Sequence, residues 1–182
     1  ESFSNLPPGT RDRLFYSLLN SRIITATLRA ALSITRLRFP EDLHKIEFKY
    51  KDENLYFKKI NIPCNGHELY NWAAGIEKAI YELLDSFLPV NPTSIEGHSE
   101  LFSLEALRPD SLLVEGRSLF DRILFMLDDV HKLSAKQREG LITHLLEKRT
   151  NASIWLSERL EVLNNLKTNR GRDYEELNLE NY

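Results

Sequence analysis

The sequence predicts an α/β fold that is rich in helix, contains part of a parallel sheet and carries a β-hairpin insertion. Two apolar runs, 123–127 and 152–156, are too short for ordinary helices and do not alternate, which is typical of strands buried on both faces of a parallel sheet. A helical segment separates them, as in a βαβ unit. Two alternating, aromatic-rich runs, 45–50 and 55–60, predict the hairpin. We therefore treat residues 1–182 as one partial domain.

The first part, residues 1–44, is predicted to be mainly helical. Between Thr10 and Pro40 the only turn-forming pair is Asn20-Ser21, and the apolar residues fall on nearly all sides, which indicates a helix buried between neighbours. Arginines recur along this helix at helical spacing. They fit either a solvated stripe or a face that contacts phosphate or another subunit; they are Arg11, Arg22, Arg29 and Arg36.

The middle of the chain divides into the hairpin insertion, residues 45–62, and a second helical part, residues 65–118. Asn65 followed by Glu68 resembles a capping box, and the apolar residues after it repeat at three-and-four spacing. We expect a helix there that ends before Pro89. A short helix at 101–107 and a loop at 109–116 complete this part.

The last part, residues 119–182, contains the predicted βαβ core and the candidate site. Asp128 and Asp129 follow the first apolar run and Ser157 follows the second, while Ser134 and Gln137 form a capping box before the helix between them. A right-handed crossover makes the strands parallel, so both polar clusters emerge at the same edge.

Such an edge can hold a nucleotide. A carboxylate there can bind Mg²⁺, and a neighbouring polar group can orient an attacking water. We assign the magnesium role to Asp128 and the water-orienting role to Asp129, whose side chain would point the other way in extended chain; Ser157 could sense the γ-phosphate. The alternative is that the acid pair only turns the chain and caps a helix.

These residues also carry a family resemblance. The stretch RILFMLDDVHKLSAKQREGLITHLLEKRTNASIWLSERL resembles the Walker B to sensor 1 portion of AAA+ and related P-loop ATPases, most closely origin-recognition initiator ATPases. The closing GRDYEELNLENY is similar to the strand that follows in such proteins. The resemblance implies that Asp128 coordinates Mg²⁺, Asp129 occupies the catalytic acid position and Ser157 is the sensor, with ATP as the nucleotide.

The resemblance further implies a role and partners. Such ATPases work as oligomers within larger multidomain assemblies, so we expect contacts with the rest of a longer chain or with other subunits, a homo-oligomer, and work in DNA handling or antiviral defence, with DNA as a partner. They often use an arginine to neutralise the transferred phosphoryl group. The downstream candidates are Arg159 first, then Arg170 and Arg172.

One departure from the family pattern is the phosphate-binding loop. No GxxxxGK[ST] motif occurs in the chain. We expect the loop upstream of Glu1, in which case this portion alone does not hydrolyse ATP. The other reading is a non-catalytic relative that serves as an interaction or oligomerisation module through the helices at 10–38 and 68–88.

Composition sets outer limits on the function. With 42% hydrophobic and 28% charged residues the chain has a globular composition, and its net charge of −3 provides no global field for nucleic acid or anionic membrane. The single cysteine, Cys64, excludes an internal disulfide, and the histidines show no metal-ligand spacing. With no signal-peptide pattern and no apolar run of membrane-spanning length, we expect a cytoplasmic protein.

Overall fold

The computed structural model describes residues 6–51, 56–86, 97–147, 152–157 and 175. The chain divides into two compact units, Glu1–Ile123 and Leu124–Tyr182. Each unit has its own sheet. The first contains helices packed with a four-stranded antiparallel sheet, and the second contains a parallel pair of strands and the helix between them.

Unit 1 is built on two long helices that pack against each other. They are α1 (Pro8–Ile34) and α2 (Gly66–Asp85), and the short helix α3 (Ser103–Ala106) packs against α1. Leu14 of α1 packs with Ile76 and Ile80 of α2, and partly buried leucines and Trp72 extend this core. The four strands are β1 (Ile46–Phe48), β2 (Cys64–Asn65), β3 (Leu112–Val114) and β4 (Arg117–Ser118).

Helix α1 carries buried polar side chains that connect it to the rest of unit 1. Asn20 donates to the Glu100 carbonyl at 2.7 Å and accepts from the Ser103 amide at 3.0 Å. Ser17 accepts from the His98 amide at 2.9 Å, and Ser21 donates to the Ala73 carbonyl of α2. Because buried backbone groups are costly to leave unpaired, Ser17 and Asn20 fix residues 98–103 against α1, and Ser21 fixes α2 against it.

Two arginines of the predicted stripe bridge the two long helices. Arg22 pairs with Glu77 at 3.1 Å and donates to the Tyr81 hydroxyl. Arg29 donates to the Tyr70 hydroxyl at 3.3 Å, and its guanidinium lies 4.8 Å from the centre of the Phe39 ring. Both side chains therefore help to hold α1 against α2 within unit 1.

The start of α2 is the capping box that the sequence predicts. The Asn65 side chain accepts from the Glu68 amide, and the Glu68 carboxylate accepts from the Asn65 amide, both at 2.9 Å. Position 66 favours glycine because the chain there passes close to the start of the short 3₁₀ helix at Leu43–Lys45. A Cβ on Gly66 would lie 2.6 Å from the Leu43 carbonyl oxygen.

The sheet of unit 1 corrects the hairpin prediction. β1 forms as expected, but its neighbours are β2 and β3, both antiparallel, and residues 56–60 form no strand. The alternation in 55–60 is misleading because Tyr56 and Phe57 are both buried, where a strand would expose one of them. Tyr56 stacks on Phe102 at 4.8 Å, and Lys59 adopts a positive φ of 61° that extended chain does not allow.

The predicted loop at 109–116 is also wrong, since it contains β3 and leads into β4. Val114 pairs with Arg117 across a two-residue turn in which Glu115 and Gly116 both have positive φ, of 51° and 75°. This is the geometry that joins tight hairpins. The sequence signal is weak because glutamate, unlike asparagine, is uncommon at the first of these positions.

Unit 2 follows the predicted strand–helix–strand order. Its elements are β5 (Leu124–Leu127), a 3₁₀ turn at Val130–Lys132, α4 (Ala135–Glu147) and β6 (Ser153–Leu156). The capping box of Ser134 and Gln137 is present, with the Gln137 side chain accepting from the Ser134 amide at 3.2 Å and the Gln137 amide donating to the Ser134 hydroxyl at 3.4 Å.

Within the described ranges, none of the helices combines the length and the hydropathy that a membrane span needs.

Asn20 gives a direct test of the polar network on α1. Asn20→Ala removes the hydrogen bonds to the Glu100 carbonyl and from the Ser103 amide, so we expect unit 1 to lose about 2–3 kcal/mol of unfolding free energy. The matched control is Asn71→Ala on the exposed side of α2, which should change stability by less than about 0.5 kcal/mol. Urea unfolding followed by Trp72 fluorescence, in a Trp155→Phe background, measures both. Equal effects of the two variants would contradict the role given to Asn20.

Cys64 should be chemically inert while the chain is folded. Burial, with a smaller contribution from the charge of Glu68, raises the pKa of its thiol to about 12. Because the thiolate is the reactive species, an alkylating reagent in mildly alkaline buffer should modify Cys64 only after denaturant is added. The unfolded thiol ionises at a lower pH than the folded one, so unfolding becomes easier as the pH rises from 9.0 towards 12. Rapid alkylation of the folded chain, read by mass spectrometry, would disprove this.

Candidate functional site

The candidate site lies at the carboxyl edge of the two parallel strands of unit 2. β5 and β6 pair in register from Leu124 opposite Ser153 to Leu127 opposite Leu156. The pairing continues past the strands, because the Ser157 amide donates to the Leu127 carbonyl at 3.0 Å and the Val130 amide donates to the Ser157 carbonyl at 3.1 Å. Asp128 and Ser157 therefore follow neighbouring strands at the same edge, as the sequence predicts.

The backbone changes direction at the acid pair. Asp129 has a positive φ of 58°, in the left-handed region, and its amide donates to the Asp128 carboxylate at 2.8 Å. The expectation that Asp129 points opposite to Asp128 assumed extended chain and does not apply here, because the strand ends at Leu127. The orientation of Asp129 is set by the turn that follows it.

Both carboxylate oxygens of Asp129 face this turn. Oδ2 pairs with the Lys132 ammonium group, and Oδ1 lies 3.8 Å from Nε2 of His131. The His131 side chain is largely buried and its Nδ1 has no hydrogen-bond partner within the described part of the chain. Sequence reasoning did not assign a role to Lys132. Its position in the sequence offered a signal for this contact. Lys132 lies three residues after Asp129, and one 3₁₀ turn brings side chains at that spacing to the same side of the chain.

The other predicted arginines lie beyond the region described. Arg159, Arg170 and Arg172 are outside the described residues, so their predicted role at the site stays a prediction.

Asp128 and Ser157 are both exposed at the edge, where a ligand could reach them.

One face of the parallel pair is covered less than the sequence predicts. Phe125 is buried, together with Leu141 and Ile142 of α4. On the opposite face Met126 and Trp155, which are register partners, are 67% and 54% exposed, and Leu124 is 44% exposed. The apolar run predicted burial on both faces. Within the described residues, β5 buries its Phe125 side and exposes its Leu124 and Met126 side.

The Asp128 carboxylate and the Ser157 hydroxyl could supply some, but not all, of the oxygen ligands of a hard cation. Carboxylate and hydroxyl oxygens are suitable ligands for Mg²⁺, which commonly uses one or two carboxylates and completes its shell with water and phosphate oxygens. In the described ranges, no group of three or more Asp, Glu, His or Cys residues could form a complete protein cage. Asp128 is the residue that would hold the ion, with Ser157 beside it.

Comparisons with protein-family models, with curated proteins and with solved structures give no match for this chain.

The left-handed backbone at Asp129 predicts which substitutions the turn accepts. Asparagine tolerates this conformation and valine does not, so Asp129→Asn should keep the turn while Asp129→Val should destabilise it by about 1–3 kcal/mol. Both variants lose the carboxylate, so the lost charge does not account for a difference between them. The measurement is hydrogen exchange of the Val130 and Ser157 amides, whose hydrogen bonds join the turn to β6. Similar exchange rates in the two variants would contradict the prediction.

Proposed function

We propose that this chain is the Walker B and sensor 1 portion of an ATP-binding and ATP-hydrolysing P-loop ATPase of the AAA+ type. The observation that supports the proposal is the parallel pairing of β5 and β6, which brings Asp128 and Ser157 to one sheet edge. Parallel sheets bind ligands at this edge. The proposed cofactors are ATP and Mg²⁺, and the proposed setting is a cytoplasmic homo-oligomer within a larger assembly that handles DNA or acts in antiviral defence.

In this proposal each residue has a distinct task. Asp128 holds the cation, directly or through water, from the end of β5. Ser157 offers a hydroxyl to a phosphate oxygen from the neighbouring strand. Asp129 orients the attacking water, and Arg159 neutralises charge on the phosphoryl group. The cation, when bound, offsets the charge that develops on the phosphate oxygens.

The phosphate-binding loop must come from outside these residues. No GxxxxGK[ST] motif occurs in the 182 residues, and backbone amides of such a loop are what cradle the β- and γ-phosphates in P-loop ATPases. The proposed ATPase therefore needs that loop from another segment or another subunit. The activity belongs to the assembled protein.

The test is steady-state ATP hydrolysis by the assembled protein that contains this chain. Asp128→Asn removes the cation ligand and Asp129→Asn removes the water-orienting carboxylate, and we expect each to lower kcat by about 100-fold. Asp121→Asn is the matched control, since it removes an exposed carboxylate before β5 and should leave kcat unchanged. Unchanged turnover in both site variants would remove the assignment.

A second candidate is an interaction module without catalysis. The exposed apolar face of β5 and β6 favours it, because monomeric proteins seldom leave neighbouring large apolar side chains in water. In this case Met126→Ser with Trp155→Ser should shift the protein towards smaller species in sedimentation, while Asp128→Asn should have no effect on any activity. Unchanged sedimentation of the Met126→Ser, Trp155→Ser variant, together with lost ATP hydrolysis in Asp128→Asn, supports the ATPase.

A further inference from the structure

The four arginines that recur in the first helical part have different environments. Arg11 is half-buried and donates to a backbone carbonyl at 3.2 Å, and Arg22 pairs with Glu77 at 3.1 Å. Arg29 and Arg36 are both exposed, and within the described ranges neither of them contacts a carboxylate. These two side chains therefore have positive charge available for a partner.

Arg29 lies against two aromatic rings at the surface of unit 1. Its guanidinium carbon is 4.8 Å from the centre of the Phe39 ring, and it donates to the Tyr70 hydroxyl at 3.3 Å. The two rings contact each other edge to face, with their centres 5.2 Å apart. Phe39 is 37% exposed and Tyr70 is half-buried. The charge of Arg29 is thus presented together with planar groups that water can reach.

Arg36 holds a backbone conformation that glycine usually supplies. The end of α1 is closed by a hydrogen bond from the Leu37 amide to the Leu32 carbonyl at 2.9 Å, and Arg36 within this turn has a φ of 56°. A residue with a Cβ is disfavoured in this left-handed region, and such conformations are common at functional sites. Arg38 follows and is also exposed. We call Arg29, Arg36, Arg38, Phe39 and Tyr70 the arginine patch.

Positive charge exceeds negative charge around the arginine patch. Between residues 29 and 45 the acidic residues are Glu41 and Asp42. Asp42 pairs with Lys45 at 2.8 Å, which leaves three arginines against one glutamate in a chain whose net charge is −3. On α2, Glu68 lies two residues from Tyr70, and residues at this spacing do not face each other. The arginine patch therefore attracts an anionic partner.

We propose that the arginine patch binds single-stranded nucleic acid. Guanidinium groups pair with phosphate oxygens, and unpaired bases stack on aromatic rings and on guanidinium planes. A duplex would use the arginines but not the rings, because its bases are already stacked on each other. The arginine patch belongs to unit 1 and its test requires neither ATP nor a cation, so the proposal goes beyond the proposed function and its outcome is independent of ATP hydrolysis.

The test is binding of a fluorescently labelled oligothymidine of about 10 nucleotides to the 182-residue chain, followed by fluorescence anisotropy over a range of salt concentrations. Three arginine–phosphate contacts predict that the logarithm of the association constant falls with the logarithm of the salt concentration with a slope of about −2. Absence of binding at low salt would overturn the proposal.

Arg36→Gly separates binding from folding. It removes one phosphate contact, so the salt slope should become less steep by about 0.7 and the affinity at low salt should fall about five-fold. Glycine also suits the left-handed conformation at this position, so the urea midpoint of unfolding should not fall. An unchanged affinity in Arg36→Gly would contradict the proposal.

Arg117→Gln is the control for a general effect of charge. Arg117 is exposed on β4, at the sheet edge opposite β2, and β2 is the strand that leads into α2. Its substitution should change the affinity and the salt slope by less than half as much as Arg36→Gly. Equal effects of the two variants would mean that the nucleic acid responds to net charge alone, and the arginine patch would not be its site.

Phe39→Leu tests the contribution of stacking. It keeps an apolar side chain and every charge, so the affinity for oligothymidine should fall about five-fold while the salt slope and the affinity for a duplex of the same length stay unchanged. An equal loss for the duplex would contradict the preference for single strands. Binding of the chain to vesicles of phosphatidylserine without binding to oligothymidine would replace nucleic acid with a membrane surface as the partner and would overturn the proposal.

Discussion

The candidate site depends on the parallel pairing of β5 with β6. Two hydrogen bonds extend this pairing beyond the strands, from the Ser157 amide to the Leu127 carbonyl and from the Val130 amide to the Ser157 carbonyl. Because a parallel pair requires a crossover, α4 and its capping residues are what allow the two strand ends to meet. A disruption of this pairing would separate Asp128 from Ser157 and leave two unrelated polar loops.

The local backbone then gives the two acids different environments. β5 ends at Leu127, and the left-handed conformation of Asp129 directs the chain into a 3₁₀ turn within one residue of Asp128. This conformation carries a cost for any residue with a Cβ, although aspartate tolerates it better than most. Strained backbone of this kind is common at functional sites. Here its effect is to bring Asp129 and Lys132 together.

The sequence predicts the elements whose signals are local. Residue spacing over a short stretch of chain predicts three helices, two capping boxes and two strands. They are α1, α2 and α4, the boxes at Asn65 and Ser134, and the strands of unit 2. The antiparallel sheet of unit 1 could not be predicted in the same way, since β1 pairs with residues far along the chain at β2 and β3. Alternation in 55–60 favoured the wrong partner because tertiary burial of Tyr56 and Phe57 overrides the local pattern.

The site shows the same division between local and long-range information. The sequence could place Asp128 and Ser157 at one edge, because a βαβ unit has almost no other handedness available. It could not give the direction of the Asp129 side chain, which depends on the φ angle of that residue and not on residue type alone. In this chain the angle turns Asp129 towards Lys132, while Asp128 stays exposed at the end of β5. Two acids that are adjacent in the sequence therefore lie in different environments.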